Sequence, residues 1–328
     1  MRTSLTPLFI FSMPRSGSTL LQRLLSTHAE VATVSEPWLL LPLLGTFSPE
    51  RMFADYAHHQ ARQALDDLCR AAGGGREVYR QEVRRMVLSL YRRASVGEPR
   101  YFLDKTPRYH LIIDEILETF PDAKVVFLFR HPLAVAASLS NSFLEGSWDL
   151  SLYNIDLYHG AVNLVDGVKD HGEGAFVLRY EDLVVNPRSV IEPLFDYLEL
   201  EPPPDAESRF SEVALAGTYG DKVGTSAFER ISAAPLDRWK RSIFNPLRRR
   251  WCKRYLEWLG KERLRCMGYE HDEIAQELAA LEVTSRGLPG DVASRCVGKV
   301  KNIIEPRIAR KKLRLWRADH RRGLFAHR

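Results

Sequence analysis

The apolar run Leu8-Phe9-Ile10-Phe11 leads into Met13-Pro14-Arg15-Ser16-Gly17-Ser18-Thr19-Leu20-Leu21. This pattern reads as a buried strand, a tight hydroxyl-rich turn with one glycine, and an amphipathic helix. Such a turn aims several backbone N–H groups at one point and sets a helix N-terminus behind them, which makes a cradle for phosphate. The turn lacks the lysine of the nucleoside-triphosphate loop G-x-x-x-x-G-K-[ST]. A phosphate cradle without that lysine narrows the chemistry more than any other stretch of the chain.

Short apolar runs rich in β-branched and aromatic residues predict further strands at 101–104, 123–129 and 175–179, beside the first at 7–12. Helical spacing predicts helices at 18–27, 109–119, 133–142 and 187–199. Val125-Val126-Phe127-Leu128-Phe129 is apolar throughout, as in a strand buried on both faces of a parallel sheet. The alternation predicts an α/β fold, a central parallel sheet flanked by helices. Residues 48–95 read as a helical insertion broken by Gly73-Gly74-Gly75, with Val83, Met86, Val87, Leu90 and Tyr91 at helical spacing in its second half. It either caps an active site or completes the core. Residues 246–285 also read as helical.

A chain of 328 residues, 45% hydrophobic and 27% charged, can bury one large α/β core. We expect a single catalytic domain over residues 1–290 and a basic extension over 291–328. From Lys299 to Arg328, eleven Lys or Arg stand against Glu305 and Asp319, with Leu313, Leu315 and Trp316 among them. That run is either a solvated face or a surface that docks on anionic lipid or polyanion. The net charge of +5 suits an anionic ligand without implying nucleic acid. Four dispersed cysteines, Cys69, Cys252, Cys266 and Cys296, form no C-x-x-C pair, so neither a metal site nor a disulfide framework is expected. No leader or membrane span is evident, which sets the expectation of a cytoplasmic protein, docked on a membrane only peripherally through the tail.

A second stretch carries chemistry. Arg130 follows Phe129 where a parallel strand ends, the edge at which α/β folds bind ligands. A guanidinium there holds a phosphate by two parallel hydrogen bonds, and Ser138, eight residues later on the next helix, can donate to the same group. Two phosphate sites on one sheet edge point to a ligand with two phosphate groups.

With PRSGSTLL, FRHPLAVAASLS and the spacing of Arg130 and Ser138 in view, the chain resembles the sulfotransferases that use 3′-phosphoadenosine 5′-phosphosulfate. The resemblance implies a P-loop-like fold whose first loop, Arg15, Ser16, Gly17, Ser18 and Thr19, binds the 5′-phosphosulfate. It implies that Arg130 and Ser138 bind the 3′-phosphate. Tyr180, in Val177-Leu178-Arg179-Tyr180-Glu181-Asp182-Leu183, would lie at the adenine. Arg238, in Leu236-Asp237-Arg238-Trp239-Lys240, would fold over the donor. The loop Pro-Arg-Ser-Gly and the following Ser35-Glu36-Pro37 look most like the tyrosylprotein and bacterial carbohydrate-type branches. Asp104-Lys105-Thr106-Pro107-Arg108-Tyr109 resembles the lysine segment of the heparan-type enzymes.

Sulfuryl transfer to a hydroxyl is an in-line displacement in which the catalyst positions reactants and stabilises charge. Arg15, the loop amides, Ser18 and Thr19 would hold the leaving end, Lys105 would neutralise it, and Glu36 would take the acceptor proton. His110 and His131 are rival bases. The expected acceptor is a hydroxylated carbohydrate, on a polysaccharide or glycolipid, and no metal is expected. A P-loop kinase-like phosphotransferase and a non-enzymatic polyanion- or membrane-binding protein are the competing readings.

Overall fold

The computed structural model describes residues 5–48, 58–217, 231–233 and 235–304. Five strands form one sheet: β1 (Thr6–Ser12), β2 (Val31–Thr33), β3 (Tyr101–Asp104), β4 (Lys124–Phe129) and β5 (Phe176–Arg179). Their spatial order is β2-β3-β1-β4-β5, and every pairing is parallel. The register sets Phe9 beside Asp104 and Val125, and Phe129 beside Arg179. The chain leaves β1 toward β2 and leaves β4 toward β5. The crevice between the C-terminal ends of β1 and β4 is therefore the point where winding reverses, the position at which open α/β sheets bind ligands.

Side chains alternate across each strand, so the continuous apolar runs feed two cores. Phe9, Phe11, Phe102, Phe127 and Phe129 lie in one core. It is closed by α4 (Gly75–Ala94), α5 (Ile113–Thr119), α6 (Pro132–Phe143), α7 (Ala161–His171) and α12 (Pro246–Cys266). Leu8, Ile10, Leu103, Val126 and Leu128 lie in the other, under α1 (Ser18–Leu25), α8 (Tyr180–Val185) and α9 (Pro187–Tyr197).

The four expected strands appear within one residue of their predicted bounds. The missed strand, β2, has three residues at the sheet edge and only Val31 fully buried, too short for a periodic signal. The first helix ends two residues early, because the Ser26 and Thr27 hydroxyls donate to the Gln22 and Leu24 carbonyls, 2.7 Å each, and close the last turn. Residues 109–119 are not one helix: a 3-10 turn at Tyr109–Leu111 precedes α5. Residues 246–285 contain α12, with non-helical dihedrals at Gly260, and α13 (His271–Ala280).

Within the 48–95 segment, α3 (His58–Ala71) packs on α4, and α4 drives Val83, Val87 and Tyr91 into the core, Tyr91 stacking on Phe102 at 4.1 Å. The described part of this segment completes the core and lines no part of the cleft discussed below; residues 49–57 lie outside the described residues. The last helix, α14 (Leu288–Ile304), straddles the expected boundary at 290/291. Its Asp291 is buried and receives Arg248 Nε at 2.6 Å, Arg248 Nη2 at 2.8 Å and Asn245 Nδ2 at 2.7 Å. The start of the expected extension is thus stitched to the domain. The basic run from 305 onward lies outside the described residues. Among the described residues, no helix is long and apolar enough to cross a membrane.

Candidate active site

The turn after β1 carries two left-handed residues, Arg15 (φ 68°) and Gly17 (φ 90°). A non-glycine residue there costs about 1–3 kcal/mol, so the Arg15 conformation is held by its surroundings. Gly17 is required twice over. Its φ favours glycine, and a Cβ would sit 2.3 Å from the Tyr180 ring. No side chain among the described residues caps α1, whose first-turn amides face the turn.

Arg130 extends from the end of β4 and donates from Nη1 to the Arg15 carbonyl at 2.7 Å. Its guanidinium lies over the Tyr180 ring, 4.5 Å from the centroid. Arg15 in turn donates from Nε to Ser138 Oγ at 3.2 Å and lies 5.7 Å from the Phe143 ring centroid. Arg15, Gly17, Arg130, Ser138 and Tyr180 therefore form one contiguous wall. Burial pulls the Arg130 guanidinium below the ordinary arginine range and pushes the Tyr180 phenol up. The Arg130 Nε and Ser16 Oγ atoms are buried with no hydrogen-bond partner among the described residues. An orphaned guanidinium donor and an uncapped helix N-terminus fit a phosphate-bearing ligand.

On the other side of the crevice, Lys105 follows β3 and is 1% exposed. Its Nζ donates to Glu36 Oε1 at 2.8 Å and to Thr19 Oγ1 at 3.4 Å. Glu36 Oε2 receives the Trp38 indole N–H at 3.2 Å. Behind this pair, Asp104 accepts from Tyr91 at 2.5 Å, Tyr109 at 2.9 Å and Thr106 at 3.4 Å. Complete burial raises its carboxyl to about 6, although those hydrogen bonds and Lys105 oppose the rise. Thr106 and Tyr109 also accept the backbone N–H groups of Trp38 and Leu40, at 3.2 and 3.3 Å. The network fastens the Lys105 turn to the Glu36 segment.

Arg15, Gly17, Ser18, Thr19, Glu36, Arg130, Ser138, Tyr180 and Arg238 line one cleft of about 790 Å³. Ser16 and Lys105 are buried behind it. The two rival bases do not reach it. His110 is wholly buried, its Nε2 3.4 Å from Asp156 Oδ1. His131 caps α6 by accepting from the Ala134 N–H at 3.3 Å and stacks on Trp239 at 4.7 Å. Burial and the nearby Arg130 pull its pKa down to about 3, so it is neutral near pH 7 and serves the turn.

Among the cleft residues that the sequence did not single out are Trp38, Arg108 and Asp156. Trp38 and Arg108 lie two and three residues from Glu36 and Lys105, so their proximity was a usable signal. Asp156 belongs to no motif and arrives only through the fold, on a π-helical turn at Ile155–Gly160. Burial works to raise Asp156, but His110 and Arg108 outweigh it and hold the carboxyl below the usual range. Among the described residues, no group of three His, Cys, Asp or Glu is placed to hold a metal ion.

A family model described as "Sulfotransferase family" matches residues 7–204, from β1 to just beyond α9. The chain belongs to the sulfotransferase family. The chain is 35% identical over 140 residues to the nodulation protein NoeE of Sinorhizobium fredii, covering 41% of this chain and 31% of NoeE. It is 26% identical over 200 residues to the protein-tyrosine sulfotransferase of Drosophila melanogaster, covering 59% and 38%. The chain thus spans about a third of the length of these curated relatives. Among solved structures, the sulfotransferase domain of the Synechococcus PCC 7002 olefin synthase aligns with a TM-score of 0.54 and 26% identity, over 74% of this chain and 90% of that one. The parallel sheet with flanking helices is the architecture expected of the family.

Proposed function

We propose that this sulfotransferase moves a sulfuryl group from 3′-phosphoadenosine 5′-phosphosulfate to a hydroxyl of a carbohydrate acceptor. The observation that carries the reading is the convergence of the β1–α1 turn, Arg130 and Ser138 on one side of the cleft with Glu36 and Lys105 on the other. In this reading the turn amides, Ser16, Ser18 and Thr19 hold the 5′-phosphosulfate, and Arg15 reaches the same end. Arg130 and Ser138 take the 3′-phosphate, Tyr180 takes the adenine, and Arg238 closes over the donor.

The acceptor oxygen attacks sulfur in line. A new S–O bond forms as the bond from sulfur to the bridging oxygen breaks, and the bridging electron pair stays on the phosphate. Glu36 receives the acceptor proton, and Lys105 turns from Glu36 to the bridging oxygen, where negative charge grows. The 2.8 Å Glu36–Lys105 pair is the resting form of that exchange. Adenosine 3′,5′-bisphosphate is the leaving product. The Pro-Arg-Ser-Gly loop and Ser35-Glu36-Pro37 support a carbohydrate acceptor through their branch resemblance.

Incubation with sulfur-labelled donor and a panel of glycans, lipids and phenols tests the reading, with label expected on a glycan and turnover insensitive to a chelator. Preference for magnesium adenosine triphosphate over adenosine 3′,5′-bisphosphate would overturn it in favour of a phosphotransferase.

A further inference from the structure

Trp38 combines three properties that the proposed reaction does not use. Its backbone is left-handed at φ 54°, a strained setting for a bulky aromatic residue. The residue is 36% exposed and lines the cleft. Its indole N–H is spent on Glu36 Oε2. A packing role would bury the ring and needs no left-handed backbone. The observed setting instead pins one edge of the indole to the proposed base and leaves part of the ring open to the cleft.

Arg108 lines the same cleft two residues beyond Thr106, the residue that accepts the Trp38 backbone N–H. Its side chain is 37% exposed, whereas its partner Asp156 is 2% exposed. Arg108 donates to Asp156 from Nε at 3.3 Å and from Nη2 at 3.2 Å. The second terminal nitrogen, Nη1, has no hydrogen-bond partner among the described residues. The pair is fixed from behind by His110, which approaches closely because residue 160 is glycine; a Cβ there would stand 3.2 Å from His110 Nε2. Charge at this end is matched, Arg108 by Asp156 and Lys105 by Glu36. The site therefore makes no demand for an anionic acceptor.

We propose that Trp38 and the Arg108–Asp156 pair form a pyranose-binding acceptor subsite that sets which hydroxyl faces Glu36. The proposal rests on the sulfuryl-transfer reading for the role of Glu36. A pyranose offers a flat C–H face to an indole and a rim of hydroxyl oxygens to a guanidinium. A phenol has a flat face but one hydroxyl, which the base already engages. An acyclic polyol has hydroxyls but no rigid face. Only the ring sugar uses both features at once, and its stacking on an indole tied to Glu36 fixes the register between ring and base.

The test is ligand-observed saturation-transfer NMR on the full chain with adenosine 3′,5′-bisphosphate present, using methyl β-D-glucopyranoside, sorbitol and 4-nitrophenol as probes. The pyranoside is expected to bind, with saturation strongest on its axial C–H protons, and the other two to bind more weakly. Trp38→Gly, which suits the left-handed backbone, and Arg108→Leu should each weaken pyranoside binding by about ten-fold or more. Trp38→Phe should keep pyranoside binding. Calorimetric affinity for the bisphosphate should stay within about two-fold in all three, which shows the fold intact. Undiminished pyranoside binding in Trp38→Gly, or sorbitol or 4-nitrophenol binding as well as the pyranoside, would overturn the subsite. Failure of the unaltered protein to bind the bisphosphate would instead strike the donor reading, while the pyranoside comparison still decides the subsite.

Discussion

Asp104→Asn isolates the cost of burying a carboxylate beside the proposed catalytic pair. Asp104 has no exposure, and its carboxyl is raised from 3.8 to about 6. A rise of about 2 pKa units corresponds to about 3 kcal/mol between the two protonation states. The native state holds this proton more tightly than the unfolded chain does. The associated stability is therefore complete below about pH 4 and is lost as pH climbs through about 6. Asparagine imitates the protonated form: its oxygen can still accept from Tyr91 and Tyr109, and its amide can donate to Thr106. Guanidinium unfolding of both proteins, followed by tryptophan fluorescence from about pH 3.5 to 8, should show the variant gaining on the native chain. The gap should widen by about 3 kcal/mol across the window and then level off. A gap that stays constant, or narrows with rising pH, would refute the assignment of this titration to Asp104.

Arg130→Ala should weaken adenosine 3′,5′-bisphosphate binding by about 10- to 100-fold, the worth of charge-assisted hydrogen bonds, with an unchanged circular-dichroism spectrum. Unchanged affinity by calorimetry would remove the proposed 3′-phosphate site. Glu36→Gln should lower kcat by about 100-fold or more while bisphosphate affinity holds, since the lost function is proton transfer; surviving turnover would place the base elsewhere. Gly17→Ala should displace either the turn or Tyr180, because the added methyl would stand 2.3 Å from the ring. Bisphosphate affinity is expected to collapse while thermal stability falls only modestly, and retained affinity would show that the turn is not where the ligand sits.

The sheet was readable because β1 and β4 are buried on both faces, which demands unbroken apolar runs that no surface strand shows. The edge strand β2 imposes no such demand, and Val31-Ala32-Thr33 passes for loop. At the site, residues in contiguous motifs were legible: the turn through Thr19, Arg130 with Ser138, Glu36 and Lys105. The direct contact between Glu36 and Lys105, 69 positions apart, was not, since it depends on the β3–β1 register and on Thr106 holding the Trp38 backbone. His110 looked like a rival base because it adjoins a motif. Its burial behind Asp156 follows from a π-helical turn that leaves no local signature. The role of α4 was open for a similar reason, as its apolar stripe suits a lid and a core helix equally until its partners are known.

The Arg248–Asp291 clasp bears on any attempt to shorten this chain. A cut at residue 290 would take away the anion and leave the Arg248 guanidinium only the carbonyls of Ser242 and Gly146, at 2.9 and 2.8 Å, as partners. The protein so trimmed would lose stability for a reason unrelated to the basic segment the cut was meant to probe. Removing residues 299–328 instead keeps Asp291 and the first turns of α14, so a change in vesicle binding after that cut would report on the removed segment and not on a broken clasp.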